Sequence, residues 1–280
     1  MCKSHISFIG RSRYIQVFVV ELPRIMLGGD GLAENTFQRR EKKILFDASL
    51  AEPLRQRIEE YMNADPYNKN GKPYTICNLY FDNEHNDVIR NSVQLPKFKE
   101  KLRLRSYGTP GPDDKVFLEI KKKLNGIGTK RRAKLKLSEV YDFLEERKYQ
   151  QDTKYINTQV LREIDYYLSH TPVEPVAYVS YQRFAYYGKE DPKFRVTFDF
   201  DIISRRHDLS LESGRYGEPL LPPDLALMEV KFAGAVPLWF VKIMNEFGLS
   251  FHTFSKIGTD LKKTVLKNNG IDEFLLTGFL

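Results

Sequence analysis

Phe98-Lys-Glu-Lys-Leu-Arg-Leu-Arg-Ser-Tyr107 decides how this 280-residue chain reads. Successive side chains of a strand point to opposite faces, so Lys99, Lys101, Arg103, Arg105 and Tyr107 share one face, with Leu102 and Leu104 on the other. The stretch predicts a strand with one basic side and one apolar side. Working outward, the same alternation recurs. Val116 to Lys123 sets Glu119 and Lys121 opposite Leu118 and Ile120. Leu225 to Phe232 sets Glu229 and Lys231 opposite Met228 and Val230. Phe37 to Phe46 puts Arg39, Glu41 and Lys43 together. Phe194 to Ile202 sets Arg195, Thr197, Asp199 and Asp201 opposite Phe194, Val196, Phe198 and Phe200.

Further strands are predicted at Tyr74–Phe81, Lys130–Leu137 and Val176–Tyr186. The turns between them carry Asn68-Lys-Asn-Gly-Lys-Pro73, Gly108-Thr-Pro-Gly-Pro112 and Asn125-Gly-Ile-Gly128. Helical patterns fall near 50–63, after a cap at Asp47 or Ser49, and near 84–93, 138–148, 155–169, 236–247 and 256–267. Trp239 is expected to pack the fifth of these onto the sheet. About eight strands with helices inserted between groups of them predict one α+β domain, an eight-stranded antiparallel barrel with helices packed outside. Residues 1–36 lack the period, contain Gly28-Gly-Asp-Gly31 and read as an N-terminal extension. The domain is placed at 37–269 and a tail at 270–280.

Composition narrows the class. A chain 41% hydrophobic and 29% charged is not a disordered, collagen-like or coiled-coil sequence. Two cysteines, Cys2 and Cys77, argue against a disulfide-stapled secreted domain, and no Cys/His set has zinc spacing. There is no phosphate-binding G-x-x-x-x-G-K-[ST] loop. The longest apolar run, Tyr14 to Leu27, is broken by Glu21, Pro23 and Arg24, so no integral membrane segment and no signal peptide are expected. The formal charge of +7 favours an anionic partner. The 16 Tyr and 19 Phe alternate as core residues, and nucleic acid is not the expected partner.

Apolar-in, polar-out alternation is what any half-buried antiparallel sheet shows. Two features go further here: a surplus of Arg and Lys, and a Glu-x-Lys pattern at Glu41/Lys43, Glu119/Lys121 and Glu229/Lys231. Helices on the outside would turn the charged face inward and line a polar tunnel. That tunnel would hold Arg39, Lys43, Arg103, Arg105, Lys121, Lys130, Arg132, Arg183, Arg195, Lys231 and Lys256. Against them stand chiefly Glu41, Glu119 and Glu229. Enclosed cations without counter-ions call for a polyanionic guest, and Arg forks match phosphate oxygens in pairs. The carboxylates suit a hard divalent metal that also touches phosphate.

In order, the stretches Phe37–Lys43, Lys101–Gly108, Phe117–Lys123, Tyr181-Gln-Arg183, Phe194–Asp201, Leu227–Lys231 and Phe254-Ser-Lys256 resemble the VTC domain, the polyphosphate polymerase branch of the triphosphate tunnel metalloenzymes. The resemblance runs from about Phe37 to Lys263 and leaves residues 1–36 unmatched. It implies an enzyme that moves the γ-phosphoryl of ATP onto a growing polyphosphate chain with Mn²⁺ or Mg²⁺. It also implies catalytic phosphate contacts from Lys43, Arg103, Arg105, Lys121, Arg183, Arg195, Lys231 and Lys256. Lys130 and Ser255 would bind phosphate too, with Arg132 taking part if the register slips along Lys130-Arg-Arg132. Glu229 is the implied metal ligand, and Glu119 is the second carboxylate considered for that role. Thr253 stands where eukaryotic members often carry Lys.

Phosphoryl transfer needs in-line positioning and charge stabilisation more than covalent chemistry, and an ionised phosphate nucleophile needs no strong base. Two other readings remain: a triphosphate or NTP hydrolase on the same scaffold, and a non-enzymatic polyanion or RNA binder. Glu-x-Lys in place of Glu-x-Glu favours transfer over hydrolysis. The expected setting is cytoplasmic, with Val17-Phe-Val-Val20 in the extension available for peripheral docking on a separate membrane protein at the inner face of a membrane.

Overall fold

The structure is a computed structural model that describes residues 39–94, 97–124, 127–148 and 157–270. The expectations for the 1–36 extension, for residues 271–280 of the tail and for Asn125 and Gly126 lie outside the described residues. The chain opens with β1 (Arg39–Asp47), α1 (Ala51–Glu59), the short β2 (Met62–Ala64), β3 (Tyr74–Asp82), α2 (Asp87–Gln94) and β4 (Phe98–Tyr107). It continues with β5 (Lys115–Leu124), β6 (Ile127–Lys136), α3 (Leu137–Glu146), α4 (Thr158–His170), β7 (Glu174–Gly188) and β8 (Arg195–Arg205). The two-residue β9 (Glu218–Pro219), β10 (Leu225–Ala233), α5 (Leu238–Glu246) and α6 (Lys256–Asn268) close it. Periodicity located every long element. It missed β2 and β9, which are too short for alternation to register.

Local chemistry sets the boundaries. Asp82 ends β3 and starts α2 with one buried carboxylate: Oδ1 accepts from the Val88 amide at 2.8 Å and Oδ2 from the Ile89 amide at 2.7 Å. Gly108 leaves β4 at φ 83°, a conformation that favours glycine. Asn157 caps α4 by accepting from the Val160 amide at 3.2 Å.

Eight strands form one continuous antiparallel path, β1-β10-β8-β7-β3-β4-β5-β6, with β2 beside β7 and β9 beside β8. The fold is the expected α+β tunnel architecture. Among the described residues no ladder joins β1 to β6, so the sheet is curled rather than sealed by hydrogen bonds. In a flat sheet β1 and β5 would stand about 29 Å apart, six spacings of roughly 4.8 Å. Instead Lys121 of β5 acts on the carboxyl of Glu41 in β1, and Lys43 of β1 acts on Lys101 in β4. Such coupling requires the charged face to be concave.

The outer, apolar face is covered in two patches. Leu102, Leu104, Leu118, Ile120, Ala133 and Leu135 pack against Val140 and Phe143 of α3 and Leu161 and Ile164 of α4. Ile44, Phe46, Val196, Phe198, Met228 and Val230 pack against Leu54 and Ile58 of α1 and Phe240 and Ile243 of α5. Trp239 supports the second patch and stacks on Tyr61 at 4.6 Å. Each such large apolar side chain contributes roughly 1.5–3 kcal/mol by leaving water. Two helices depart from the expectation that all lie outside. Ile89 of α2 and Ile257 and Leu261 of α6 pack with Ile76, Val179, Tyr181 and Leu227, which have the parity of the charged face. These helices fill part of the concave side and bring Lys256, at the start of α6, into contact with it.

A candidate functional site on the concave face

Strand register turns the charge pattern into a lattice. On β1 and β10, two antiparallel Glu-x-Lys sequences place Glu41 opposite Lys231 and Lys43 opposite Glu229. On β4 and β5, Arg103 faces Glu119 and Lys101 faces Lys121. On β5 and β6, Lys121 faces Lys130 and Glu119 faces Arg132. Arg183 of β7 faces Asp199 of β8.

Two ion clusters result. In the first, Arg183 donates Nε to Asp199 Oδ1 and Nη2 to Asp199 Oδ2, both at 2.6 Å, and Nη2 also reaches Glu229 Oε2 at 2.9 Å. Lys256 Nζ lies 2.6 Å from Asp199 Oδ2 and 2.9 Å from Glu229 Oε1. Lys231 stands 3.8 Å from Glu229 and 3.9 Å from Glu41, and Lys43 stands 3.6 Å from Glu41. Lys43 also donates to the Phe254 carbonyl at 2.7 Å, tying the segment before α6 to β1. In the second cluster, Arg103 Nε donates to Glu119 Oε2 at 2.7 Å and Lys130 Nζ lies 2.5 Å from Oε1. Arg105 donates Nε to Asn78 Oδ1 at 2.9 Å and Nη2 to the Tyr181 hydroxyl at 3.2 Å. Tyr181 joins the clusters, because Lys256 and Arg183 lie over its ring at 4.6 and 5.0 Å.

Burial opposes ionisation of these carboxyls, and the neighbouring cations outweigh it. Arg103, Arg105 and Lys130 hold Glu119 at about 2. Lys256, Arg183 and Lys231 hold Glu229 well below the usual carboxylate range. Lys101 shows the opposite case. Burial, then the charges of Lys121, Lys99 and Lys43, lower it to about 8. Among the described residues no carboxylate lies within ion-pair distance of Lys99, Lys101, Lys121 or Lys123. Their row continues the basic face beyond Arg103 along β4 and β5.

Most of the expected residues meet on this face: Lys43, Arg103, Arg105, Lys121, Arg183, Lys231 and Lys256, with Lys130 and Arg132 on β6. Arg195 lies further along β8, where Nη2 donates to Asp65 Oδ2 at 2.7 Å. Ser255 caps α6, its hydroxyl oxygen accepting from the Gly258 amide at 3.2 Å. Both Lys130 and Arg132 project from the charged side of β6, so the register need not choose between them. The His252 amide donates to the Lys43 carbonyl at 2.7 Å, a backbone link between β1 and the segment before α6.

Both oxygens of Glu119 are engaged by Arg103 and Lys130, and both oxygens of Glu229 are likewise engaged by Lys256 and Arg183, so each of the two expected metal carboxylates also serves as a counter-ion. Glu229 and Glu41, on neighbouring strands and sharing the long contacts to Lys231, are the pair whose oxygens could reach a divalent ion already bound to phosphates. Among the described residues no group of three His, Cys, Asp or Glu side chains could hold a metal by itself. A phosphate-borne ion fits this face, and an all-protein metal cage does not.

Several contributors escaped the sequence reading of the site. Asp199 was legible as a member of the alternating face, but nothing marked it as the partner of both Arg183 and Lys256. Asn78, Tyr181 and Tyr80, whose hydroxyl accepts from Arg103 Nη1 at 3.4 Å, carry no charge, so a search for charged residues passes over them. Asp65 sits in a loop without period.

The VTC domain family model matches residues 38–264. No curated protein sequence matches. Among solved structures, a candidate adenylate cyclase from Bacillus halodurans aligns with TM-score 0.46 and 14% identity, over 78% of this chain and 95% of that one. A candidate adenylyl cyclase from Hippeastrum, described as having a dominant triphosphatase activity, aligns with TM-score 0.41 and 14% identity, over 83% and 96%. A protein from Pyrococcus horikoshii aligns with TM-score 0.39 and 13% identity, over 80% and 99%. The structural likenesses carry no argument at these scores; the family match does.

Proposed function

Since the chain belongs to the VTC domain family, we propose that it is a phosphotransferase that moves the γ-phosphoryl of ATP onto a growing polyphosphate chain on the concave face. Arg103, Arg105, Arg183 and Lys256 would grip the triphosphate, where charge spreads over the equatorial oxygens during transfer. Glu229 and Glu41 would hold a divalent ion, Mn²⁺ or Mg²⁺, whose charge would offset that of the phosphate oxygens. The acceptor is the ionised terminal oxygen of phosphate or polyphosphate, so the face needs no general base.

One observation carries the choice of transfer over hydrolysis. The basic face does not stop at the length of a triphosphate; Lys99, Lys101, Lys121 and Lys123 extend it, and among the described residues no carboxylate lies within ion-pair distance of them. A longer polyanion supplies the charge that this row lacks. In addition, Glu119, Asp199 and Glu229 each bind two or more cations, which leaves them poorly placed to orient a water. The test is incubation of the pure protein with γ-labelled ATP and Mn²⁺ or Mg²⁺, resolving polyphosphate from free phosphate on a gel. A ladder of labelled chains supports the reading. Free phosphate alone would mean a hydrolase.

A further inference from the structure

The charged face is flanked differently on its two sides. Along β4 and β5 the central cations are followed by lysines in one direction and by aromatic rings in the other. Tyr107 lies two residues beyond Arg105 on the same face, a step of about 6.8 Å, and Phe117 lies two residues before Glu119. Tyr74 stands opposite Arg183 in the β3–β7 ladder. Tyr67, from the loop after β2, completes the group. Its ring stacks on Tyr107 with centroids 5.1 Å apart and planes 19° from parallel, and it lies 5.6 Å from Tyr74. Phe117 meets Tyr107 edge-on at 5.8 Å, and the Arg132 guanidinium covers Phe117 at 4.7 Å.

Two details separate this group from ordinary core packing. Tyr67 is 54% exposed and Tyr107 39% exposed, so much of the stacked pair faces solvent. The loop that presents Tyr67 is also pinned. The Tyr67 amide donates to Asp65 Oδ1 at 3.1 Å, and Asn68 Nδ2 donates to the Ala185 carbonyl at 2.7 Å. The same Asp65 accepts from Arg195, which links the loop to the charged face.

We propose that Tyr67 and Tyr107 form a stacking platform for the nucleobase of the bound nucleoside triphosphate. This rests on the phosphotransferase reading and deepens it, because it orients the substrate. The base lies against the tyrosines, the triphosphate crosses the arginines and Lys256, and the γ-phosphoryl points toward the lysine row. Every base offers a π-face, so the platform would accept purines broadly and favour nucleotide over bare phosphate chains.

Calorimetric titration with ATP and with inorganic tripolyphosphate tests this on the wild type, on Tyr67→Phe and on the double variant Tyr67→Ala/Tyr107→Leu. The expected result is an ATP affinity about tenfold weaker in the double variant, as for loss of one base–aromatic stack. Tripolyphosphate affinity should be unchanged, and Tyr67→Phe should behave as wild type. Equal losses for both ligands, or no loss for ATP, would overturn the platform and leave the phosphate site standing. A wild type that binds neither ligand would overturn the phosphotransferase reading and the platform with it.

Discussion

Arg183 and Asp199 stand directly opposite each other on β7 and β8 and are joined by two parallel hydrogen bonds of 2.6 Å, in a region where the Asp199 side chain has no solvent exposure. A guanidinium held in this way cannot swing, so its remaining donor capacity is aimed at Glu229 and at whatever enters the concave face. The same carboxylate also anchors Lys256 and so fixes the start of α6 against the sheet. Asp199→Ala would leave two buried cations sharing Glu229 alone. Loss of one partner from such a cluster costs about 3–5 kcal/mol. The variant should unfold at clearly lower urea concentration. Asp113→Ala, which removes an exposed pair with Lys136, should leave the midpoint almost unchanged. Equal midpoints for the two variants would contradict the structural part given to Asp199.

Arg103 and Arg105 should separate in mutation. Arg105→Ala removes hydrogen bonds to neutral Asn78 and Tyr181 and only a long 4.0 Å ion pair to Glu119, which Arg103 and Lys130 still hold, so its main cost falls on turnover. Loss of one electrostatic donor costs at least about 2 kcal/mol of transition-state stabilisation, roughly 30-fold in kcat/KM. Arg103→Ala additionally strips the buried Glu119 of its closest guanidinium, so thermal stability should fall along with turnover. Full activity in Arg105→Ala would remove that residue from the site.

Glu229→Gln addresses the metal directly. It should abolish most metal-dependent turnover, because Glu41 alone offers a poor site. It should also strengthen metal-free binding of tripolyphosphate, since a negative charge leaves a face that already holds Arg183, Lys256 and Lys231. Turnover rates with added metal and titrations with chelator present measure the two effects. Undiminished turnover would exclude a metal at Glu229.

Lys101 predicts a pH dependence. Burial comes first among the causes that lower it to about 8, followed by the like charges of Lys121 and Lys99, Lys43 and Arg103. A bound polyanion favours its charged form and raises that value. Binding therefore takes up a proton above about pH 8: affinity is complete below the free value and declines as pH rises through it. Polyphosphate affinity measured from pH 7.5 to 9.5 should fall, and Lys101→Met should flatten the fall while weakening binding at the low end. An unchanged slope in Lys101→Met would assign the titration elsewhere.

Much of this protein was written in its periodicity. Alternation from Phe98 to Tyr107 located β4 residue for residue, and the Glu-x-Lys repeats identified which side of β1, β5 and β10 carries charge. A side-chain period of two needs no knowledge of neighbours, so faces can be read strand by strand. Register cannot. Tertiary pairing alone set Glu41 opposite Lys231, Arg183 opposite Asp199, and Glu119 between Arg103 and Lys130; a slip of one residue would have scattered all of them. Tertiary structure also brought Arg103 and Lys130 onto one carboxylate, Glu119, and placed α2 and α6 on the concave side. An amphipathic helix reports that it has an apolar stripe, but not which surface will cover it. That choice belongs to the curl of the sheet, which sums small twists over strands from Arg39 to Ala233 and is encoded in no single stretch of the chain.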